Sequence, residues 1–443
     1  MDLRARLRRT AMNLPAVLVV TLPGATELRL ETEAEVRRRG WPVAGAPAAS
    51  DLLVVCGVPA PQDAEWLDSI ERSMPQPAVR TVVGDRGHVA HALDQARREL
   101  TDGAVIVTPD SAAPGHGDVH DRDAQHGGPT SEDHHAAHFG RDGHGHQQPP
   151  DHTAHMEQAD HQGHAGHMDH MGHDMHAMGE VAGLPMAERA DDRDELRLDQ
   201  LHVPIGPALP DWPAGLILRL ALQGDVVQSV EVDHLPLPPG PRLPFWDEPW
   251  LLAAQGEDVS KGIAARRRCA AHLDSAGRLF AVVGWEDVAA RCRRLRDELL
   301  SGASRQAIGD ELRRTLHRVR RSRALRWSTA GLGRWPADRG RAAGVTGPAL
   351  AADGDAYDRL RMWLGEIERC LGDLDDAEPL PSDDRTGPRG RLDGPSPPSL
   401  ALLDVLPELL TGAEFACARI IVASLDPDID ELVLAPVSGA ARA

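Results

Sequence analysis

The sequence predicts three parts: an α/β N-terminal domain on a parallel sheet (residues 1–110), a disordered His/Met-rich linker (111–184), and a mostly helical α+β C-terminal domain (185–443). Three observations carry this. Continuous apolar runs alternate with amphipathic stretches near the N-terminus. The middle has almost no aliphatic residues, so it has nothing with which to build a core. Beyond it, one hairpin pattern is followed by several long amphipathic stretches. A length of 443 residues suits two or three domains, and 41% hydrophobic residues suffice for ordinary cores.

The first run, Pro15–Leu22 (PAVLVVTL), reads as a strand buried on both faces. A basic stretch precedes it, so a signal peptide must be weighed. The apolar part is short, however, and leads into a charged helical pattern without a small-residue cleavage site. A helix follows over Glu31–Arg39, a second strand over Asp51–Gly57, and an amphipathic helix over Pro61–Met74 with Ala64, Leu67, Ile70 and Met74 on one side. A third strand is expected at Ala78–Gly84, a helix at His88–Leu100 and a fourth strand at Ala104–Pro109. Strands alternating with helices imply a parallel sheet covered on both faces.

In the last part, Leu216–Leu222 and Val226–Val232 flank the turn Gln223-Gly224-Asp225 and predict a β-hairpin. Helices are expected over 257–282, 285–302, 304–323 and 355–374. A Pro/Gly/Asp-rich loop (377–398), a helix (399–411) and a final strand, Ala418–Asp426, complete the chain.

The net charge of −20 argues against general nucleic-acid binding. Lys261 is the only lysine, which reads as a GC-rich coding bias. The five cysteines (Cys56, Cys269, Cys292, Cys370, Cys417) form no C-x-x-C pair. They read as small buried hydrophobes in a reducing compartment, not as a disulfide framework or a local metal motif. No apolar run reaches the roughly 18 residues of a spanning helix, so a cytoplasmic chain is expected, peripheral to a membrane at most.

Sixteen of the 22 histidines fall in the middle part. Its core, HTAHMEQADHQGHAGHMDHMGHDMHAM, sets His152, His155, His161, His164, His167, His170, His173 and His176 among Met156, Met168, Met171, Met175 and Met178. Neutral imidazole suits Ni(II), Cu(II) and Zn(II), and thioether suits Cu(I). These thirteen side chains are the candidate metal ligands, binding several ions at modest affinity and without fixed geometry. The bland alternative is a solvated linker.

Both flanks resemble one family pair. Ser50–Asp85, with Met74-Pro75-Gln76-Pro77 and Gly84, resembles the small iron–sulfur subunit shared by complex I (NADH-quinone oxidoreductase) and [NiFe]-hydrogenases. Leu201–Val232, Gly344–Leu374 and Ala418–Leu432, in that order, resemble the large subunit that partners it in both enzymes. In that second match Gly344–Pro348 keep a G-V-T-G-P turn, and Gly354, Asp355 and Arg359 keep the start of a long helix. The resemblance implies packing of small-subunit-like on large-subunit-like parts and partners in a membrane-associated assembly, including antiporter-like membrane subunits.

The departures bear on chemistry. The family's cluster cysteines after the first strand are replaced by Ala25 and Leu28, though Glu31 is kept. The later one falls near Asp85 or Arg86. A cubane cluster needs thiolates at nearly all corners, so no Fe–S cluster is expected. The C-terminal D-P-C-x-x-C of the hydrogenases reads Asp426-Pro427-Asp428-Ile429-Asp430-Glu431, and the N-terminal pair is absent, so no NiFe centre is expected either. In the opening turn, Leu209 and Trp212 or Pro213 stand where complex I relatives place quinone-contacting histidines; His202 is out of register.

Outside the resemblance, the acids at 426–431 read as a solvated strand end. Arg266–Arg268 and the run Arg313–Arg323 read as solvated basic faces able to dock acidic subunits or lipid headgroups. His272 and His317 read as structural. The leading expectation is an accessory or structural subunit of a complex I-like or hydrogenase-like oxidoreductase assembly. The alternatives are a nickel, copper or zinc buffer or delivery protein acting through the His/Met segment and, last, a redox-active subunit with an unusual site.

Overall fold

The computed structural model describes residues 13–106, 189–191 and 197–434, all in one compact unit. The thirteen candidate metal ligands between His152 and Met178 lie outside the described residues.

The N-terminal part forms a three-stranded parallel sheet in the order β1-β2-β3: β1 Val17–Thr21, β2 Leu52–Cys56 and β3 Val79–Val83. All five residues of β2 are buried, as a central strand with both faces covered requires. The crossover after β1 is α1, Thr26–Arg38, which starts five residues earlier than its pattern suggested. Helices α2 (Ala64–Arg72) and α3 (Val89–Ile106) follow β2 and β3. The expected fourth strand does not form at its start: residues 104–106 continue α3, and 107–109 lie outside the described residues. An apolar run as short as AVI fits either state, and here the preceding helix extends through it.

The hairpin forms as expected. β6 (Leu216–Gln223) and β7 (Val226–His234) pair antiparallel and join β4 (Arg189–Asp191) and β5 (Arg197–Ile205) in a four-stranded meander.

The helical part centres on α5, Lys261–Val282, which is buried along most of its length. Before it stands α4, Glu248–Ala254, and after it α6, Glu286–Leu300. Next come α7 (Arg305–Arg320), α8 (Arg323–Thr329), α9 (Ala337–Ala342), α10 (Gly347–Ala351) and α11 (Ala356–Asp373). The segment expected as one helix over 399–411 is two short ones, α12 (Pro398–Asp404) and α13 (Leu406–Leu410). Pro407 has no N–H to continue a ladder across Val405. The expected final strand is a helix, α14 (Phe415–Leu425), packed on α5 and α11. Its apolar run, ARIIVASL, has no period that separates a buried strand from a buried helix.

The small sheet and the helices share cores. Leu30 of α1 sits in the cluster built by Leu273, Leu279, Leu295 and Leu360. Leu18, Val20, Leu53 and Val55 of the sheet pack with Leu235 and against Ile217 of the hairpin. The two flanks of the His/Met segment are therefore one packed body.

Candidate functional site

The junction between the small sheet and the helices is held by charge. On α1, Arg29 forks onto Asp274 of α5 at 2.7 and 3.2 Å and reaches Glu33 at 2.8 Å. Arg296 of α6, fully buried, donates to Asp274 at 2.5 Å and pairs with Glu33 at 2.9 Å and Asp297 at 2.7 Å. Arg37 pairs with Asp297, and Arg293 with Asp211 of the opening turn. Burial alone would raise the Asp274 and Glu33 carboxyls. Arg29, Arg278 and Arg296 instead hold Asp274 well below its usual range, and Arg29 and Arg296 bring Glu33 to about 2.

Arg278 links this cluster to a second one, reaching Asp274 at 3.2 Å and Asp426 at 2.6 Å. Asp426 ends α14 in the left-handed region (φ 49°), which turns the chain inward. Ser275 donates to it at 2.6 Å, and Arg389 donates to both its carbonyl and its carboxylate at 2.7 Å. The other arm of Arg389 faces Asp428 at 3.5 Å and Glu431 at 3.8 Å. The Ser399 N–H donates to Glu431 at 2.9 Å, and the Asp428 N–H donates to the Ser399 hydroxyl at 2.8 Å. Asp430 turns the other way. It accepts from the Gly24 N–H at 2.5 Å, in the loop after β1, and from the Thr26 hydroxyl at 3.0 Å, at the start of α1. The charged chain thus begins on Arg29 and ends beside Gly24, closing a ring between two loops some 400 residues apart in sequence.

These contacts correct the expectation that 426–431 is a solvated end: Asp426, Asp428, Asp430 and Glu431 are all under a tenth exposed. Asp247, at the start of α4, is also completely buried, and no group donates to either of its oxygens. Counting it, five carboxylates meet two guanidinium groups, Arg389 and Arg278. If all were ionised the centre would hold three excess negative charges in a dry interior, at large cost. Protons relieve this. Burial and the neighbouring Glu431 charge raise Asp247 well above the carboxylate range. Burial, joined by the Asp428 charge, pushes both Asp430 and Glu431 up to about 7. A proton on Asp247 or Glu431 supplies the donor that the pair lacks.

A cavity of about 130 Å³ opens onto Asp430, walled by Gly24, Leu237, Pro238, Phe245 and Arg242. A second, of about 60 Å³, lies between Arg29, Glu33, Asp211, Trp212 and Arg293. The opening-turn residues sit at this second cavity. Leu209 lines it, and Trp212 is buried with its indole N–H on the Leu216 carbonyl at 2.9 Å. His202 is exposed on β5, away from it.

The groups present do not fit the cofactors of the resembled family. After β1, Ala25 is buried, Leu28 is half-buried in the first turn of α1, and the Gly24 N–H is taken by Asp430. Cys56 is a lone thiol beside the Thr32 hydroxyl at 3.5 Å, and burial pushes it up to about 12, far from thiolate. Burial likewise raises Cys269, Cys292 and Cys370. Asp85 and Arg86, near the later cysteine position, are exposed; Arg86 pairs with Glu27 at 2.5 Å. At the D-P-C-x-x-C positions, Asp428 and Glu431 face a guanidinium rather than open space. Among the described residues no set of three or more His, Cys, Asp or Glu is arranged to hold a metal ion.

One further expectation changes and one stands. Arg266, Arg267 and Arg268 are not a solvated face. Arg266 donates to the carbonyls of Leu299 and Ala303, Arg267 to that of Phe245, and Arg268 to that of Thr386. His272 is buried, and burial followed by the charges of Arg268 and Arg389 drops it to about 3, so it stays neutral, as a structural histidine does.

Sequence reading missed Arg29, Asp247, Asp274, Arg296 and Arg389. One signal was present: Asp274 interrupts the small, apolar stretch CAAHLDSAG, where a solvated residue has no place. The others carry no local mark, because their partners are distant in sequence.

No family model and no curated protein matches the chain. Among solved structures, a chain in the membrane-bound sulfane sulfur reductase, an archaeal respiratory membrane complex, is similar to this one. The two share 16% identity with a TM-score of 0.37, over 52% of this chain and 98% of that chain. Among the described residues, no helix is long and apolar enough to cross a membrane.

Proposed function

We propose that this chain is an accessory, cofactor-free subunit of a complex I-like or hydrogenase-like membrane assembly, fusing small-subunit-like (1–110) and large-subunit-like (185–443) domains. It lies on the cytoplasmic side and packs on other subunits of that assembly, antiporter-like membrane subunits among them. One observation carries the reading. The two loops that hold metal ligands in the resembled family meet here, but as Gly24 and Thr26 on Asp430, with Arg389 facing Asp428 and Glu431. An arginine among carboxylates satisfies the charge that a metal would otherwise balance, and the ring gives rigidity in place of redox chemistry.

The His/Met segment (111–184) adds transition-metal binding as a second, separable property, supported by its imidazole and thioether content. One set of preparations tests both readings. Full-length protein and a 116–178 deletion are purified from native membranes and assayed for iron, labile sulfide, nickel, copper and zinc, and for co-purifying multi-spanning subunits. The expected result is colourless protein without iron or sulfide that brings membrane subunits with it, and loss of bound nickel, copper or zinc in the deletion alone. A cubane absorption band, or no membrane partner, overturns the first reading. Wild-type physiology in the deletion strain reduces the segment to a linker.

A further inference from the structure

The run Leu312–Trp327 contains seven arginines and no acid, in a chain of net charge −20. It forms most of α7 and α8. Ile308, Leu312, Leu316, Val319 and Leu325 hold these helices to the core. The opposite face is exposed and carries Arg313, Arg314, Arg318, Arg320, Arg321, Arg323 and Arg326. Three of these have acidic partners: Arg313 with Asp310, Arg318 with Asp287 and Arg320 with Glu368, all at the surface. Arg314, Arg321 and Arg323 have no ion pair among the described residues. In their midst Trp327 is 87% exposed, the most exposed large hydrophobic side chain among the described residues.

We infer that this face of α7 and α8 docks on an anionic phospholipid bilayer. Guanidinium groups take phosphates bidentately, and an indole at the end of an arginine-rich face is the side chain that settles at headgroup depth. Charge complementarity favours this orientation: in a chain of net charge −20, an arginine-rich face without acids of its own between Leu312 and Trp327 is drawn to an anionic surface. A protein partner fits less well. Protein interfaces draw their energy from a contiguous apolar centre. Trp327 stands alone, and the other exposed large apolar residues, such as Val58 and Leu201, belong to other elements. The nearby acids Asp355 and Asp358 are half-buried and engaged as the cap of α11.

The inference deepens the membrane-assembly reading and rests on it only for why a bilayer is at hand. The test uses the full-length protein in flotation with vesicles of phosphatidylcholine alone or mixed with phosphatidylglycerol. Binding is expected to the mixed vesicles only and to fade with added salt, as the Debye length shortens. R321E/R323E weakens it by roughly tenfold or more, and W327A by several-fold, with unchanged thermal melting because all three sites are exposed. Equal flotation with neutral vesicles, no flotation at all, or unaltered binding by R321E/R323E overturns the inference. So does tight binding of polyglutamate without vesicle binding, which would assign the face to an acidic protein. A colourless protein that ignores vesicles sinks the docking face alone; an iron-containing one that binds them sinks only the cofactor-free reading.

Discussion

At the level of single residues, the centre around Arg389 sets a pH dependence. Glu431 and Asp430 have ordinary values of 4.5 and 3.8 and are pushed up to about 7 in the folded chain. The folded state therefore binds more protons than the unfolded one between about pH 4 and 7. Stability from this source is full at the acid end and is lost as pH rises through about 7. His272 acts oppositely. Its folded value of about 3 lies below the ordinary 6.5, so its contribution is present above 6.5 and lost on acidification. The two effects oppose each other below pH 6.5, which leaves roughly pH 6.5 to 7.5 as the window where only the carboxyls act. E431Q mimics the protonated acid, keeping an acceptor for Ser399 and giving Asp247 a donor. Urea titrations across that window should show falling stability in the wild type and a shallower fall in E431Q, where Asp430 alone still titrates. A variant as pH-sensitive as the wild type would mean that Glu431 is ionised throughout.

At the level of elements, the long helices could be read from sequence, several of them by their own punctuation. Ser260, Ser304 and Ser322 cap α5, α7 and α8 by accepting from N–H groups three residues on. Asp355 does more: it accepts from Tyr357 at 2.9 Å, Asp358 at 3.1 Å and, across the turn, Gly331 at 2.7 Å. The Asp358 carboxylate in turn accepts from the Asp355 N–H, completing a capping box. D355A removes the acceptor of all three N–H groups and should cost about 1–2 kcal/mol in equilibrium denaturation, without altering the slope. The elements that misled are the short apolar ones. Residues 104–106 and 418–426 have the composition of strands, and no turn or cap near them decides otherwise. α14 is a helix because α5 and α11 surround it, and in that setting a helix pairs its interior backbone groups internally while a lone strand would not.

At the level of the whole molecule, the ring of charge joins the small sheet to the helices, so the two should not unfold separately. Asp274 is its hinge, shared by Arg29, Arg278 and Arg296. D274A takes from these guanidinium groups the anion they share, and breaking such a network costs about 3–5 kcal/mol. Amide exchange should show β2 and α11 losing protection together and by similar amounts. If only the helices loosen, the ring does not couple the two parts. The same network explains where sequence reading of the junction stopped. Asp426 to Glu431 has the look of a wet acidic end, and nothing within ten residues says otherwise. Its burial depends on Arg389, Ser399, Asp247 and the Gly24–Thr26 loop, which the fold brings from four separate stretches.

By itself, the sequence determined the first three strands of the parallel sheet, the hairpin and the long helices, because hydrophobic period, caps and turn residues act over a few neighbours. It also determined that metal-ligating cysteines are absent from the loop after β1 and from 426–431. The tertiary structure alone decided what stands in their place. Long-range ion pairs are formed by side chains with no sequence proximity, and whether a carboxylate is wet or buried, ionised or protonated, depends on the groups the fold sets around it.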